Sequence, residues 1–531
     1  MVLRRSRLLA IAPAAVAGSL AVVAVVVGWR GTDFPAQLYR VGLFHRDGLV
    51  LWDSQWYGGH WTFDYSVLFP LIAGVIGVEA TQVVAAAAAA FAFDRLVVGH
   101  FGPRARLGSL LFAAGTLVEV AIGQLPFLVG EAFALAALLA ASRRRWLLAS
   151  VLALLAALTS PLAGGFLALS AGAWFLAVWP RLRAGLGAVI CAAAIPVFVM
   201  ALLFPGEGTM PFPTWDFVQL GALFVVLLLL VPRSEKALRI GVAIYVVAIA
   251  LSFLVASPMG GNISRLGECL GAPLVVCALW PRRRWLAAAA VLPLVALQWS
   301  PAFATFTSDR ADPSTHASYF APLLKFLATH QQPLGRVEVV PTHLHWEAAY
   351  VAPRFPLARG WERQLDTADN PIFYTPGTLT SSSYYTWLIR NGVRFVALPD
   401  TGLDFAGQAE GALVAAGVPG LEPPQQLGPW RVFAVSGSTG LVQGPGTVKH
   451  LDGSRVTLHF PSPGTITLRV RYDPRWSVVG HDACVGPAPD GWTDVTSRRA
   501  GDLRMTLGLL GNGDSPCLAP SGSASGGPPS A

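Results

Sequence analysis

Charge is what this chain has least of: 13% of its 531 residues are Asp, Glu, Lys or Arg, against 54% that are hydrophobic. A disordered chain needs the reverse balance, and ordinary water-soluble domains have too little interior to absorb so much apolar surface. Cysteine is scarce as well, five in all and without metal-ligand spacing, which excludes a disulfide-dense secreted scaffold and a zinc-finger module. Cys191, Cys269 and Cys277 fall in apolar segments and read as small core residues. Cys484 and Cys517 lie in the polar C-terminal part and are the two able to pair. The chain also lacks G-x-x-x-x-G-K-[ST], and Gly58-Gly59 stands isolated, so kinase, nuclease and P-loop readings have no support.

What is present is a series of long Ala/Leu/Val runs, and these make the chain a polytopic α-helical membrane protein. The net charge of +8 would suggest nucleic acid to a soluble protein; here the basic residues sit between apolar segments, so no nucleic-acid partner is expected. Arg4, Arg5 and Arg7 precede the first run, Leu8–Trp29. Further clusters fall at Arg104/Arg106, Arg143–Arg145, Arg181/Arg183, Arg233/Lys236/Arg239 and Arg282–Arg284, as cytoplasmic loops require. Leu8–Trp29 is long and lacks a following small-residue cleavage site, which favours a retained helix over a signal peptide.

The next apolar piece, Ser66–Gly77, is short and contains Pro70, so it is expected to be re-entrant or interfacial. With that choice every basic cluster falls on one side, through Ala80–Val98 and spans near 107–122, 126–142, 146–159, 162–179, 186–204, 216–231, 237–256, 265–280 and 285–304. The expectation is about eleven transmembrane helices in residues 1–304, the N-terminus cytoplasmic. Residues 31–65 then form a first external loop, and everything from 305 onward is extracytoplasmic. Tyr319–His330 and Tyr384–Asn391 read as helices, Arg336–Pro341 and Val393–Leu398 as strands, suggesting an α/β domain over 305–437. Period-2 runs at Arg455–Phe460 and Thr465–Tyr472 suggest a β-sandwich-like domain over 438–517. Residues 518–531, Ser/Gly/Pro-rich in Ser521–Ala531, are expected to be a disordered tail.

Candidate chemistry concentrates in TDFPAQLYRVGLFHRDGLVLWDSQWYGGHWTFDYSVLFPLIAG, the first external loop and its continuation. Asp33, Arg40, His45, Arg46, Asp47, Asp53, His60 and Asp64 stand there among aromatics that include Trp56 and Tyr57, in far more chain than a connector needs. Aromatic faces pack on sugar rings while acids take hydroxyls or a proton, although Trp and Tyr also line membrane interfaces without any such role. Asp33 lies just past the outer end of the first span, at the depth of a lipid-linked substrate. Arg265 in MGGNISRLGEC opens a later span on the same side, with Glu268 three residues on; the pair suits either phosphate binding or an ion pair at a helix end capped by Asn262 or Ser264. Glu119 and Glu131 flank the external turn Gly123-Gln124-Leu125-Pro126, as intramembrane acids or as side chains that reach the outer surface. His343 and His345 alternate without a third ligand and carry no metal site.

An Asp after the first transmembrane helix, a long aromatic and acidic external loop, a short Pro-containing dip and then many spans resemble the GT-C glycosyltransferase superfamily. WYGGHWTFDYSVLFPLIAG further resembles an actinobacterial-type group of membrane proteins labelled as related to 6-pyruvoyl-tetrahydropterin synthase, a label that names no activity. GRVEVVPTHLHWEAAYVAPRFPLARGWERQLDTADNPIFY and YYTWLIRNGVRFVALPD resemble the soluble part of that group. The resemblance implies a plasma-membrane enzyme that transfers a sugar from a polyprenyl-phosphate donor to an extracytoplasmic glycan, glycolipid or protein, with Asp33 as general base. Arg40, Asp53, Trp56, Tyr57, His60, Asp64, Glu131, Arg265 and Glu268 are the expected donor- or acceptor-binding residues. A divalent cation is the one cofactor left open, and Thr32-Asp33-Phe34 departs from the acidic pair that many members carry. The alternatives are a transporter or flippase of polyprenyl-linked glycans, and a non-catalytic cell-envelope assembly subunit.

Overall fold

A computed structural model describes residues 2–178, 180–206, 208–280, 283–309, 312–479, 482–509 and 517; the tail expected at 518–531 lies outside the described residues. The N-terminal part is a helical bundle. After α1 (Val2–Val26) come an amphipathic helix α2 (Phe34–Asp47), a hairpin of β1 (Trp52–Asp53) and β2 (His60–Trp61), and the short α3 (Phe69–Ile76). Ten apolar helices follow: α4 (Val78–Phe101), α5 (Arg106–Ile122), α6 (Leu125–Ser142), α7 (Trp146–Thr159), α8 (Pro161–Ala177), α9 (Arg183–Leu203), α10 (Thr214–Leu230), α11 (Lys236–Leu254), α12 (Ser264–Leu279) and α13 (Arg284–Asp309).

Among the described residues seven of these helices are long and apolar enough to cross a membrane, and four further apolar helices are shorter. Their surfaces are apolar too, with Leu202, Leu229, Leu254 and Leu292 64–76% exposed, consistent with a polytopic membrane protein. Small residues let the helices close up. A Cβ at Gly108 of α5 would lie 2.4 Å from Cys277 Sγ and 2.6 Å from the Pro273 carbonyl of α12, so glycine sets that contact.

Alternation of direction sorts the turns onto two ends. The C-terminal ends of α4, α6, α8, α10 and α12 share one end, where His100 of α4 meets Glu235 at 2.7 Å. The other end carries 27–33, 123–124, 204–213 and 255–263. There the Gly31 and Asp33 amides donate to the Ala121 and Ile122 carbonyls of α5, both at 2.9 Å, and Arg30 lies 3.6 Å from Glu79.

The C-terminal part stacks on that second end. Helix α14 (Ala317–His330) leads into a four-stranded sheet of order β3-β4-β6-β5, in which β3 (Arg336–Val339) and β4 (Val393–Pro399) are parallel, and β5 (Gln425–Leu427) and β6 (Trp430–Ala434) add antiparallel. The β3–β4 crossover holds α15 (Glu347–Tyr350), α16 (Arg363–Asp369) and α17 (Ser381–Arg390), the last started by a capping box between Thr380 and Ser383. Helix α18 (Phe405–Ala416) follows β4.

Two antiparallel sheets then enclose Val456, Leu458, Phe460, Ile466, Leu468, Val470 and Val495. One has β7 (Val442–Gln443), β10 (Gly464–Arg471), β12 (Ala483–Pro487) and β13 (Trp492–Ser497). The other has β8 (Thr447–Leu451), β9 (Arg455–Phe460), β11 (Trp476–Val478) and β14 (Gly501–Leu507). Cys484 and Cys517 are joined by a disulfide.

The segment expected as a long loop is thus folded and used as an adaptor. Trp52 and Trp61 of its hairpin enter the core between the two antiparallel sheets, while Phe34, Tyr39, Trp56 and Tyr57 join a core that includes Trp346, Val351 and Leu357. Backbone bonds fasten both: Leu357 N–H to Gln55 O at 2.8 Å, Ser54 N–H to Gly453 O at 3.0 Å and Arg471 N–H to Gly58 O at 2.8 Å. Gly59 makes the hairpin turn possible, since at φ +134° a Cβ would sit 2.2 Å from the Trp52 ring.

Candidate functional site

Asp33 occupies the N-cap position of α2, where a carboxylate ordinarily turns back onto the first amides. Here its backbone is already helical (φ −89°, ψ −17°) and its side chain makes no capping bond, so the helix start leaves the carboxylate uncommitted. Thr32 Oγ1 donates to its Oδ1 at 3.4 Å. Burial pushes its pKa above the usual carboxylate range, while the charges of Arg265, His345 and Arg40 pull it back. The charges of three cations, one on the same helix and two from distant parts of the chain, therefore act on one acid.

Each cation is differently held. The Arg265 guanidinium lies 5.8 Å from the Phe127 ring centre and, among the described residues, forms no salt bridge, so of the two readings of Arg265 and Glu268 the ion pair is not made. Asn262 instead donates to the Pro258 carbonyl at 3.5 Å, and no side chain caps α12. The expected alternation of His343 and His345 is a turn, because His345 takes φ +57°. His343 is exposed, whereas His345 is buried with Nδ1 3.3 Å from Glu347 and Nε2 3.5 Å from Asp404. Burial opposes its charge, but the hydrogen bonds to Asp404 and Glu347 prevail and raise its pKa to about 9.

Arg40, 5% exposed, is the hinge of a second, contiguous cluster. Its guanidinium lies 3.7 Å from the Tyr65 ring centre and 5.4 Å from that of Trp361. Its Nη2 donates to Glu362 Oε1, and His60 Nε2 lies 3.7 Å from the same oxygen. Trp361 reaches from the C-terminal part to the Asp33 corner, its indole N–H donating to the Thr32 carbonyl at 2.9 Å. Burial first, and then the charge of Glu362, push the Asp64 carboxyl well up against the influence of Arg40. Glu362 is likewise raised by burial, with Arg40 opposing. Burial holds His60 down at about 4, hence neutral. Arg40 Nη1, His60 Nδ1, Asp64 Oδ1, Gln37 Oε1 and Trp56 Nε1 are buried with no hydrogen-bond partner among the described residues. Donors and acceptors so concentrated and unmet mark a place that water or a polar ligand completes.

Of the residues singled out in the sequence, Arg40, His60 and Asp64 thus gather around Glu362, while Arg265 and Arg40 act on Asp33 through their charges. Asp53 is spent on structure, accepting from the Tyr39 hydroxyl at 2.7 Å and the Gln55 amide at 3.0 Å. Trp56 is fully buried between Tyr39 and His60, stacked at 4.4 and 5.5 Å. Tyr57, at φ +57°, donates to the Glu362 carbonyl at 2.9 Å. His45, Arg46 and Asp47 close α2 away from Asp33, and Arg455 pairs with Asp47 at 3.4 Å. Glu268 is half-buried with Ser264, Arg265 and Asp216 as its polar surroundings. Glu119 and Glu131 do not reach the surface, being 3% and 6% exposed, and Cys269 is more than core filling: its thiol donates to Glu119 at 2.8 Å.

Tyr65, His345, Trp361 and Glu362 complete the site from positions that the sequence reading left aside. Among the described residues, Asp33 belongs to no group of three or more His, Cys, Asp or Glu side chains close enough together to share a metal ion. Comparison of the chain with protein-family models and with curated proteins returns no match.

Proposed function

We propose that this chain is a GT-C-like membrane glycosyltransferase that crosses the bilayer eleven times, counting the seven long and four shorter apolar helices. In this reading the N-terminus and the Arg-bearing turns are cytoplasmic, and the end that carries Asp33 and the C-terminal part faces outward. The positive-inside pattern supports the orientation, as does the Cys484–Cys517 disulfide, which an oxidising compartment would preserve.

The observation that carries the proposal is Asp33, a carboxylate free of capping duty, faced by Arg265, His345 and Arg40. A cationic surround suits a phosphate-bearing substrate, and a carboxylate whose pKa is raised is a better base near neutral pH. Asp33 takes the proton of an acceptor hydroxyl as that oxygen bonds to the anomeric carbon. The bond from that carbon to the polyprenyl phosphate breaks on the opposite face, inverting the configuration, and Arg265 receives the phosphate charge. The unmet polar atoms of Arg40, His60 and Asp64, beside the Tyr65 and Trp361 rings, bind the hydroxyls and face of a sugar.

The test is a panel of radiolabelled polyprenyl-phosphate sugars offered to membranes that carry the protein. Transfer or hydrolysis of one donor class supports the reading. Neither turnover nor binding of any donor would replace it with transport or assembly.

A further inference from the structure

We propose that Glu119, Glu131 and Cys269 form a binding site for a zinc-like divalent transition metal inside the helical bundle. One carboxylate oxygen from each acid and the Cys269 Sγ lie within 4.8 Å of one another, contributed by α5, α6 and α12. Bonds of about 2.0–2.3 Å to a tetrahedral ion place ligands roughly 3.3–3.8 Å apart. Side-chain rotation closes the remaining gap.

Three further observations point to an ion rather than to a hydrogen-bonded acid pair. The Oε2 atoms of Glu119 and Glu131 are buried without partners among the described residues, on residues 3% and 6% exposed, so both acids have ligating oxygens unspent. A small cavity of about 30 Å³ opens onto Glu131 and Cys269, its walls otherwise apolar except for Ser170. It leaves room for a water as fourth ligand. Two carboxylates and a thiolate carry three negative charges, most of which a divalent ion neutralises. Acids in an apolar bundle without such compensation are costly.

Mixed thiolate and carboxylate ligation selects zinc-type ions over magnesium and calcium, which take oxygen alone. On binding, the S–H bond that points at Glu119 breaks, an S–metal bond forms, and the thiol proton, with any carried by the two carboxyls, is released to the buffer. The site neither uses Asp33 nor depends on the transferase reading.

The test is titration of the purified, chelator-treated full chain with Co²⁺ and Zn²⁺. The expected result is about one equivalent bound with thiolate-to-cobalt charge-transfer absorption, and an affinity at least tenfold weaker in Cys269→Ser and Glu131→Gln. Cys277→Ala, which removes a second buried thiol of the same helix, should bind like the wild type. Absence of a sulfur-ligated cobalt spectrum in the wild type would overturn the proposal even if the variants fail to fold. Equal loss in Cys277→Ala and Cys269→Ser would overturn it too.

Discussion

Replacing Glu362 by Gln removes the carboxylate that, among the described residues, pairs directly with Arg40, and the structure sets the size of the effect. The two side chains are only 6% and 7% exposed, so the guanidinium cannot turn to water when its partner loses its charge. Breaking a buried pair from one side costs about 3–5 kcal/mol, because a charge is left uncompensated. The Gln amide still accepts a hydrogen bond, and the Tyr65 ring face at 3.7 Å remains. Those two contacts reduce the expected cost to about 2–3 kcal/mol. A control lies in the same C-terminal part: Arg390 and Asp490 are both 53% exposed at 3.4 Å, and Asp490→Asn should cost under about 1 kcal/mol. Denaturant unfolding of detergent-solubilised protein, followed by tryptophan fluorescence, reads both, since Trp56 and Trp361 lie 5.7 and 5.4 Å from Arg40. Arg40→Met combined with Glu362→Met should recover most of the loss, because neither charge stays buried alone. If Glu362→Gln is no more destabilising than Asp490→Asn, Arg40 and Glu362 do not form the buried junction described above.

Three further outcomes are expected. The acidic limb of the pH–rate profile for transfer should lie above the ordinary carboxylate value of 3.8, since Asp33 must be ionised and burial raises it; Arg265→Gln should move that limb higher still by removing the foremost opposing charge. Arg265→Gln should also slow transfer by about 10²-fold at saturating donor if it receives the phosphate charge, with partial return in Arg265→Lys, as single-turnover kinetics would show. His345 has its folded pKa raised from 6.5 to about 9, so its charge contributes stability fully below pH 6.5 and loses it as pH rises through about 9; in His345→Gln the difference in unfolding midpoint between pH 6 and pH 10 should shrink.

The parts of this fold legible in the sequence are those set by local periodicity. Helices such as α9 and α11 announce themselves as unbroken apolar runs, and β9 and β10 as alternating ones, because a bilayer and a sheet face each impose their pattern residue by residue. Helix α2 was hidden by its polarity: PAQLYRVGLFHRD has a helical face, yet its charges made the stretch read as loop. The site was legible on the membrane side only. Asp33 and Arg265 stand at helix ends, where position alone gives them meaning. Glu362 lies 322 residues from Arg40, and Cys269 lies 150 from Glu119, distances at which only tertiary packing makes partners. His345 was discounted as one of an unremarkable alternating pair, and only the left-handed turn that buries it against Glu347 and Asp404 gives it a charge.

The most direct test of the central claim compares wild type with Asp33→Asn, at equal membrane abundance, for both binding and transfer of a polyprenyl-phosphate sugar. Loss of a positioned general base predicts transfer slower by about 10²–10⁴-fold with donor binding retained. Transfer at the wild-type rate in Asp33→Asn would contradict the account.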